Sequence, residues 1–313
     1  MQSAANAYKP KKKLWKTMLQ YKYFYLMVLP VMVWYAIFSY APMYGVTLAF
    51  KTFDYSGGIL GSPWIGIEHF RTLLTDADFH TAFKNTMIIS LMKLLIHFPA
   101  PIILAILLNE FSRKKARRFF QTVLTFPHFI SWVVLAGIIS IILSRDGAVN
   151  QIIMLFGYES ISPLTSASSF RPMLYITHVW REVGWDSIIY LAALAGINPE
   201  LYEAAEMDGA GRFQRLLHIA WPGMKSTVAI LLILHVGQLL TQGASFDQIF
   251  NLYSSPVYSV SDVIDTYIYR TSFQVGGDFG YMTAAGLIKS VISLVLLAVA
   301  NTVVKRMGEE GLY

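Results

Sequence analysis

Long apolar stretches separated by short charged ones dominate the pattern along this chain. A helix needs about 20 mostly apolar residues to cross the roughly 30 Å hydrocarbon core of a bilayer. Six windows of that kind occur, at about Tyr23 to Leu48, Thr86 to Leu108, Phe119 to Leu143, Pro172 to Leu194, Ser226 to Gly243 and Tyr281 to Val304. The first carries no Asp, Glu, Lys, Arg or His across the 28 residues from Tyr23 to Phe50, longer than the apolar core of a cleavable signal peptide, and is read as a retained span. Between the first two windows, "KTFDYSGGILGSPWIGIEHFRTLLTDADFHTAFKN" opens on Gly and Pro turn signals. It then places Ile67, Phe70, Leu73 and Leu74 at the spacing of a short amphipathic helix lying on the outer surface. Pro30, Pro99, Pro101 and Pro127 fall inside or beside windows and predict kinks or cavity-facing breaks.

One interruption stands apart. "ELYEAAEMDGAGRFQRLLHIAWPGM", from Glu200 to Met224, holds four carboxylates and two arginines between the fourth and fifth windows. Pro199 suits a helix start, and Glu200, Glu203 and Glu206 put negative charge where the helix dipole favours it. The glycines of "DGAG", Asp208 to Gly211, supply a turn. Phe213, Leu216, Leu217 and Ala220 then recur at i, i+3, i+4 and i+7, predicting a second short helix that Pro222 ends. The pattern is helix, glycine turn, helix.

Composition agrees with a membrane chain: 55% of the 313 residues are hydrophobic, 14% are charged, and mean hydropathy is +0.49. The net charge of +6 becomes informative when it is divided by segment. Sixteen of the 25 Lys and Arg residues lie in the N-terminal segment, the 109–118 loop, the Glu200 stretch with Lys225, and the tail. Six lie in the alternate loops, and Lys93, Arg181 and Lys289 lie within spans. The positive-inside rule therefore puts both termini and the Glu200 stretch in the cytoplasm. Attraction to anionic lipid accounts for the basic balance, with no need of nucleic acid. Cysteine is absent, which removes disulfides and thiolate metal sites. The expected organisation is all-α: a basic N-terminus over 1–22, one six-span domain over 23–304 that includes the polar loop 198–224, and a tail over 305–313.

The chemistry-bearing positions lie inside the spans, where ionisable residues are costly and face a bundle interior or a watery cavity. In "THVWREVGWDSIIY", His178, Arg181, Glu182 and Trp185 form one helical stripe, with Trp180 beside it. His235, Gln238 and Gln242 form a second stripe in the fifth span. Rings beside hydrogen-bonding groups suit a sugar, and an arginine on the stripe can hold a carboxylate bidentately. The bland alternative is that Arg181 and Glu182 satisfy each other and Gln238 bonds between helices. Lys93 and Lys289 read as snorkelling side chains or partners of an acidic group in another subunit. His97 and His128 read as polar helix contacts beside prolines, and no metal or catalytic site is expected.

The "EAA" of Glu203, Ala204 and Ala205, followed by Gly209 and by "IAWP" from Ile219 to Pro222, resembles the EAA loop of permease subunits of ABC importers. Trp221 stands where that pattern has leucine. "WIGIEHFRTLL", Trp64 to Leu74, and "NT", Asn85 and Thr86, resemble the carbohydrate branch with the type I fold, and in particular oligosaccharide permeases of Gram-positive bacteria. The resemblance implies a coupling helix docked on an ATPase, with Glu203, Ala204, Ala205, Asp208, Gly209, Arg212 and Pro222 as the coupling residues. It also implies a second homologous permease, two ATPases that hold ATP and Mg2+, an extracellular solute-binding protein, and an oligosaccharide cargo derived from plant or algal polysaccharide, for which Arg181 suggests a uronate-containing chain. The sugar would pass between the fourth and fifth spans by alternating access across a bacterial cytoplasmic membrane. The chain itself offers no Walker A motif, no Rossmann glycine pattern, no HExxH and no GxSxG, so no catalysis is expected of it. A non-sugar cargo, or an ion-coupled transporter using Glu182 and Asp186, remains the alternative.

Overall fold

The computed structural model describes residues 19–111, 113–274, 276–306, 308 and 311. Most of the N-terminal segment 1–22 and most of the tail 305–313 lie outside the described residues. Among the described residues there is no β-strand, only an isolated bridge between Lys51 and Trp64. Apart from single helical turns, the helices are α1 (Lys22–Phe50), α2 (Glu68–Leu73), α3 (Ala77–Asn109), α4 (Lys114–Phe129), α5 (Trp132–Ile142), α6 (Ala148–Leu155), α7 (Ala167–Ala195), α8 (Pro199–Met207), α9 (Arg212–Gly237), α10 (Phe246–Leu252), α11 (Ile264–Tyr269) and α12 (Phe279–Arg306).

Four of these, α1, α3, α9 and α12, are long and apolar enough to cross a membrane. The expected third span is bent by 102° between α4 and α5 and reaches the required length only as a pair. The bend has a local cause: Pro127 sits in a 3-10 turn, Phe126–Phe129, and Ile130 and Ser131 are extended before Ser131 caps α5. The expected fourth span is continuous helix over 29 residues, but Arg171, Arg181, Glu182 and Asp186 make α7 too polar to count by composition.

Helix α7 is the hub. It packs on α3, α4 and α9, while α12 packs on α9 and on the end of α1. One apolar cluster joins Ile102, Ala105 and Leu108 of α3 to Tyr190, Leu191 and Leu194 of α7 and to Ala220 and Met224. The α4–α7 crossing is so close that a Cβ on Gly184 would run into the Leu124 carbonyl and lie 2.6 Å from Thr125 N. In α1, by contrast, nothing is buried before Leu48, so its apolar surface up to that point is open to lipid or a partner.

Several expected boundaries move. Asn85 and Thr86 lie well inside α3, which begins at Ala77 behind an Asp76 cap that accepts from the Asp78 and Phe79 N–H groups. They serve as cross-links: Asn85 Nδ2 donates to the Asp262 carbonyl at 2.9 Å, and Thr86 Oγ1 accepts from Ile264 N at 2.9 Å. Pro222 does not end a helix either. A π-helical turn, Leu216–Ala220, precedes it, and α9 runs unbroken through it. The wider turn accommodates a residue that has no N–H to give and whose ring crowds the preceding turn. Around α2, Leu73 is buried but the flanking Ile67 and Leu74 are exposed. His69 turns inward instead, its Nε2 donating to the Lys51 carbonyl at 2.9 Å. Lys289 pairs within this chain, at 2.5 Å from Asp265 Oδ1, rather than needing another subunit.

At the start of α3, the Asp76 carboxylate also accepts from Tyr267 at 2.9 Å and Tyr281 at 2.6 Å, joining α3, α11 and α12. Partial burial pushes this carboxyl up, but the Tyr281, Phe79, Tyr267 and Asp78 hydrogen bonds outweigh it and hold the group below its usual value. Its stabilising contribution is therefore full above the unfolded value of about 3.9 and fades as pH falls through the folded value. Asp76→Ala is expected to cost about 1–3 kcal/mol at pH 7. Thermal melts of the detergent-solubilised chain should show a lower midpoint at pH 7 and a smaller gap from the parent near pH 3.

Candidate functional site

A cavity of about 570 Å3 opens between α3, α7 and the end of α9, roofed by the α4–α5 break and the start of α10. Three polar assemblies line it, and each follows from a local feature of the chain.

The first repairs the α4–α5 break. A bend leaves carbonyls without helical partners, and Arg181 of α7 reaches them: Nε donates to Ile130 O at 3.2 Å and Nη2 to His128 O at 3.1 Å. Its Nη1 pairs with the neighbouring Glu182 carboxylate, and its guanidinium sits 4.9 Å from the Trp132 ring centroid. The second Glu182 oxygen meets His128 Nδ1 at 2.6 Å, and the His128 ring stacks flat on Trp185 at 4.4 Å. All three guanidinium nitrogens are thus engaged within the chain, so Arg181 braces the bend while lining the cavity.

The second assembly centres on Gln248 of α10, which is fully buried. Its Oε1 accepts from Lys93 Nζ at 2.5 Å, and its Nε2 donates to Leu174 O at 2.8 Å and Thr177 Oγ1 at 3.0 Å. One amide therefore joins α3, α7 and α10, and Lys93 has an internal partner.

The third is a group of imidazoles. His97 Nε2 lies 2.7 Å from Asp186 Oδ2, and the His97 ring is 4.8 Å from His178 and 6.4 Å from His235. His235 Nδ1 donates to the Leu231 carbonyl one turn back at 2.8 Å.

Of the residues expected on the cargo path, His178, Arg181, Glu182, Trp185, His235, Gln238 and Gln242 line this cavity. Trp180 does not. It lies on the opposite flank of α7, in an apolar groove with Ile96, Pro172, Tyr175, Ile176 and Val179. Asp186, His97, His128, Lys93 and Gln248 complete the assemblies. For the first four the signal was present as polar residues in apolar windows, whereas Gln248 lies outside every window, and which face they share depends on the bend at Pro127 and on contacts distant in sequence.

The polar loop is built as its residues dictate. Asn198 caps α8 by accepting from Glu200 N at 3.1 Å. Ala210 N closes the C-terminus onto Ala205 O at 2.8 Å, which Gly209 permits by adopting φ +76°, a region where a side chain is strained. Glu203, Ala204, Asp208 and Arg212 are exposed, as is Pro222, and Ala205 is half-buried. Met207 is 88% and Phe213 70% exposed, so two large apolar side chains on a charged loop have no cover in this chain.

Residues 97–309 match the family of binding-protein-dependent transport system inner membrane components, and the chain belongs to that family: it is the membrane-embedded, non-enzymatic permease part of an ABC transporter, with the type I permease fold. Among curated proteins it is 41% identical over 304 residues to the polygalacturonan/rhamnogalacturonan transport system permease protein YteP of Bacillus subtilis, covering 97% of this chain and 94% of that one. It is 27% identical over 278 residues to the arabinooligosaccharides transport system permease protein AraP of the same organism, covering 87% and 85%. Among solved structures, it superposes with a TM-score of 0.87 on a chain of a bacterial ABC transporter that imports the acidic polysaccharide alginate. That chain is 40% identical, and the match covers 94% of this chain and 99% of that one.

Arg181→Ala should act first on stability, because it strips two backbone carbonyls of their donor and leaves Glu182 without its cation. A loss of about 1–3 kcal/mol is expected for a part-buried pair together with its carbonyl hydrogen bonds. Arg181→Lys should recover little of it, since one ammonium cannot span the same fork. Thermal midpoints of the two variants decide this. Gly184→Ala should likewise lower the midpoint, by about 1–3 kcal/mol of overpacking at the α4–α7 crossing.

Proposed function

We propose that this chain is the permease subunit of an ATP-driven importer for uronate-containing oligosaccharides. The observation that carries the reading is the cavity beside α7: four histidines, tryptophan rings and amides around a space large enough for sugar units. It occurs in a chain about 40% identical, end to end, to permeases serving polygalacturonan/rhamnogalacturonan and alginate. Rings present flat faces to sugar C–H surfaces, and imidazoles and amides offer donors to hydroxyls and carboxylates.

The chain works with a second, similar permease that closes the cavity and with two ATPases that bind ATP and Mg2+. An extracellular solute-binding protein delivers the sugar. The ABC transporter of alginate has been crystallised in complex with an alginate pentasaccharide-bound periplasmic protein, which supports that last partner. The α8 loop is the ATPase contact, and it is cytoplasmic together with both termini. Glu203, Asp208 and Arg212 give charge, Ala204 and Ala205 a slim face, and Met207 and Phe213 an apolar anchor for a groove. Exchange between outward and inward states then follows the ATPase cycle, each state selected by differential binding.

Reconstituted with its partner subunits, the transporter should hydrolyse ATP faster when its solute-binding protein carries an oligogalacturonate, and little or not at all faster with a neutral oligosaccharide of equal length. Equal stimulation by both, or by the neutral sugar only, overturns the acidic-cargo reading. Gly209→Val and Glu203→Ala are each expected to lower sugar uptake at least about tenfold, the equivalent of about 1.4 kcal/mol of coupling, while α7 and its cavity stay intact. Unchanged uptake removes the coupling role.

A further inference from the structure

The imidazole group beside Asp186 remains unexplained by a cargo path alone. His97 comes from α3, Asp186 from α7 and His235 from α9, and their ligand atoms all lie within 4.8 Å of one another. His97 is 5% exposed, and its Nδ1 is buried without a hydrogen-bond partner, as is Nδ1 of the neighbouring His178. Orphaned buried nitrogens are rare in a folded chain, and these two leave the imidazole group short of the partners a complete polar network would supply. The orientation of His235 supports an ion: its Nδ1–H is committed to the Leu231 carbonyl, which leaves Nε2 as a lone-pair donor. Imidazoles that hold metals are commonly fixed in this way through their other nitrogen.

We propose that His97, Asp186 and His235 form a binding site for a divalent transition-metal ion of the Zn2+ class, its fourth position open to the cavity. Two nitrogens and one carboxylate oxygen suit zinc, whereas Mg2+ and Ca2+ favour oxygen-only shells. Zinc bonds of about 2.0–2.1 Å at tetrahedral angles place ligands about 3.3 Å apart, within reach of these side chains by small χ rotations. The His97–Asp186 hydrogen bond gives way to a shared ion, and three ligands with one open position match zinc sites that keep room for an exogenous oxygen. The ion fastens three helices to one another, so it holds the cavity in one state and stalls transport while bound.

The test uses the full-length chain in nanodiscs, freed of metal with EDTA, with ZnCl2 alone as the probe. Calorimetry should find one Zn2+ per chain, and Co2+ substitution should give the visible absorption of a tetrahedral site. His235→Ala and His97→Ala should each weaken binding at least about 100-fold, because each removes a ligand outright. Asp186→Asn should weaken it less, and His218→Ala, exposed in the first turns of α9, not at all. The metal-free thermal midpoint of each variant is measured alongside, and if an alanine variant fails to fold, His235→Gln replaces it. Absence of stoichiometric binding, octahedral Co2+ spectra, or binding that survives in a folded His97→Ala/His235→Ala double variant overturns the proposal. None of these readouts depends on which sugar is carried, so their failure is distinct from failure of the cargo reading.

Discussion

A charge can stand at the depth of a bilayer only when something in the protein answers it. Helix α7 holds four charged residues in 29, and the architecture around it is largely a set of answers. Arg181 goes to the carbonyls freed by the α4–α5 bend, Glu182 to Arg181 and His128, Asp186 to His97, and Arg171 to Asn85 Oδ1 at 2.7 Å and Val260 O at 3.0 Å. Because those partners sit on different elements, satisfying α7 also fixes where α3, the α4–α5 break and the 258–262 segment must lie. Glycine at 184 lets α4 come near enough for the Arg181 and Glu182 contacts to form. Polar pairing and close packing are thus one requirement here, and the cavity is the space they leave.

This division also explains what the sequence could reveal. The helical period alone placed His178, Arg181, Glu182 and Trp185 on a common face, because residues three and four apart share a side whatever surrounds them. The α8 turn was equally legible, since Asn198, Pro199 and Gly209 act on their own neighbourhood. Trp180 was misjudged because it is one residue off the stripe, and a single step turns a side chain by about 100°. Arg181 looked available for cargo because its acceptors, the carbonyls of His128 and Ile130, exist only after a bend some fifty residues earlier in the chain has formed. Gln248 gave no warning for the same reason: its partners in α3 and α7 lie 155 and about 70 positions away. Local chemistry was readable, and chemistry assembled from remote backbone was not.

The cavity and the exposed loop are different in physical kind. The first is preorganised, with most donors and acceptors already matched among themselves, so a cargo meets fixed dipoles and needs little rearrangement of the walls. The second is incomplete, a charged hairpin showing methionine and phenylalanine to solvent, as expected of a surface finished by another chain. Membership in the family of binding-protein-dependent inner membrane components fits the first half, a cavity that a small molecule passes.

The continuity of α9 past Pro222 has a mechanical meaning. A helix broken there would absorb a push at its Arg212 end as a change of angle. An unbroken run of 26 residues, about 39 Å at 1.5 Å per residue, behaves as a lever arm. Arg212 stands at one end, and Gln238 and the 239–243 turn, which packs on α3, stand at the other. Small rotations imposed near the loop therefore reappear as lateral displacement of the cavity wall, with the contact against α12 as fulcrum.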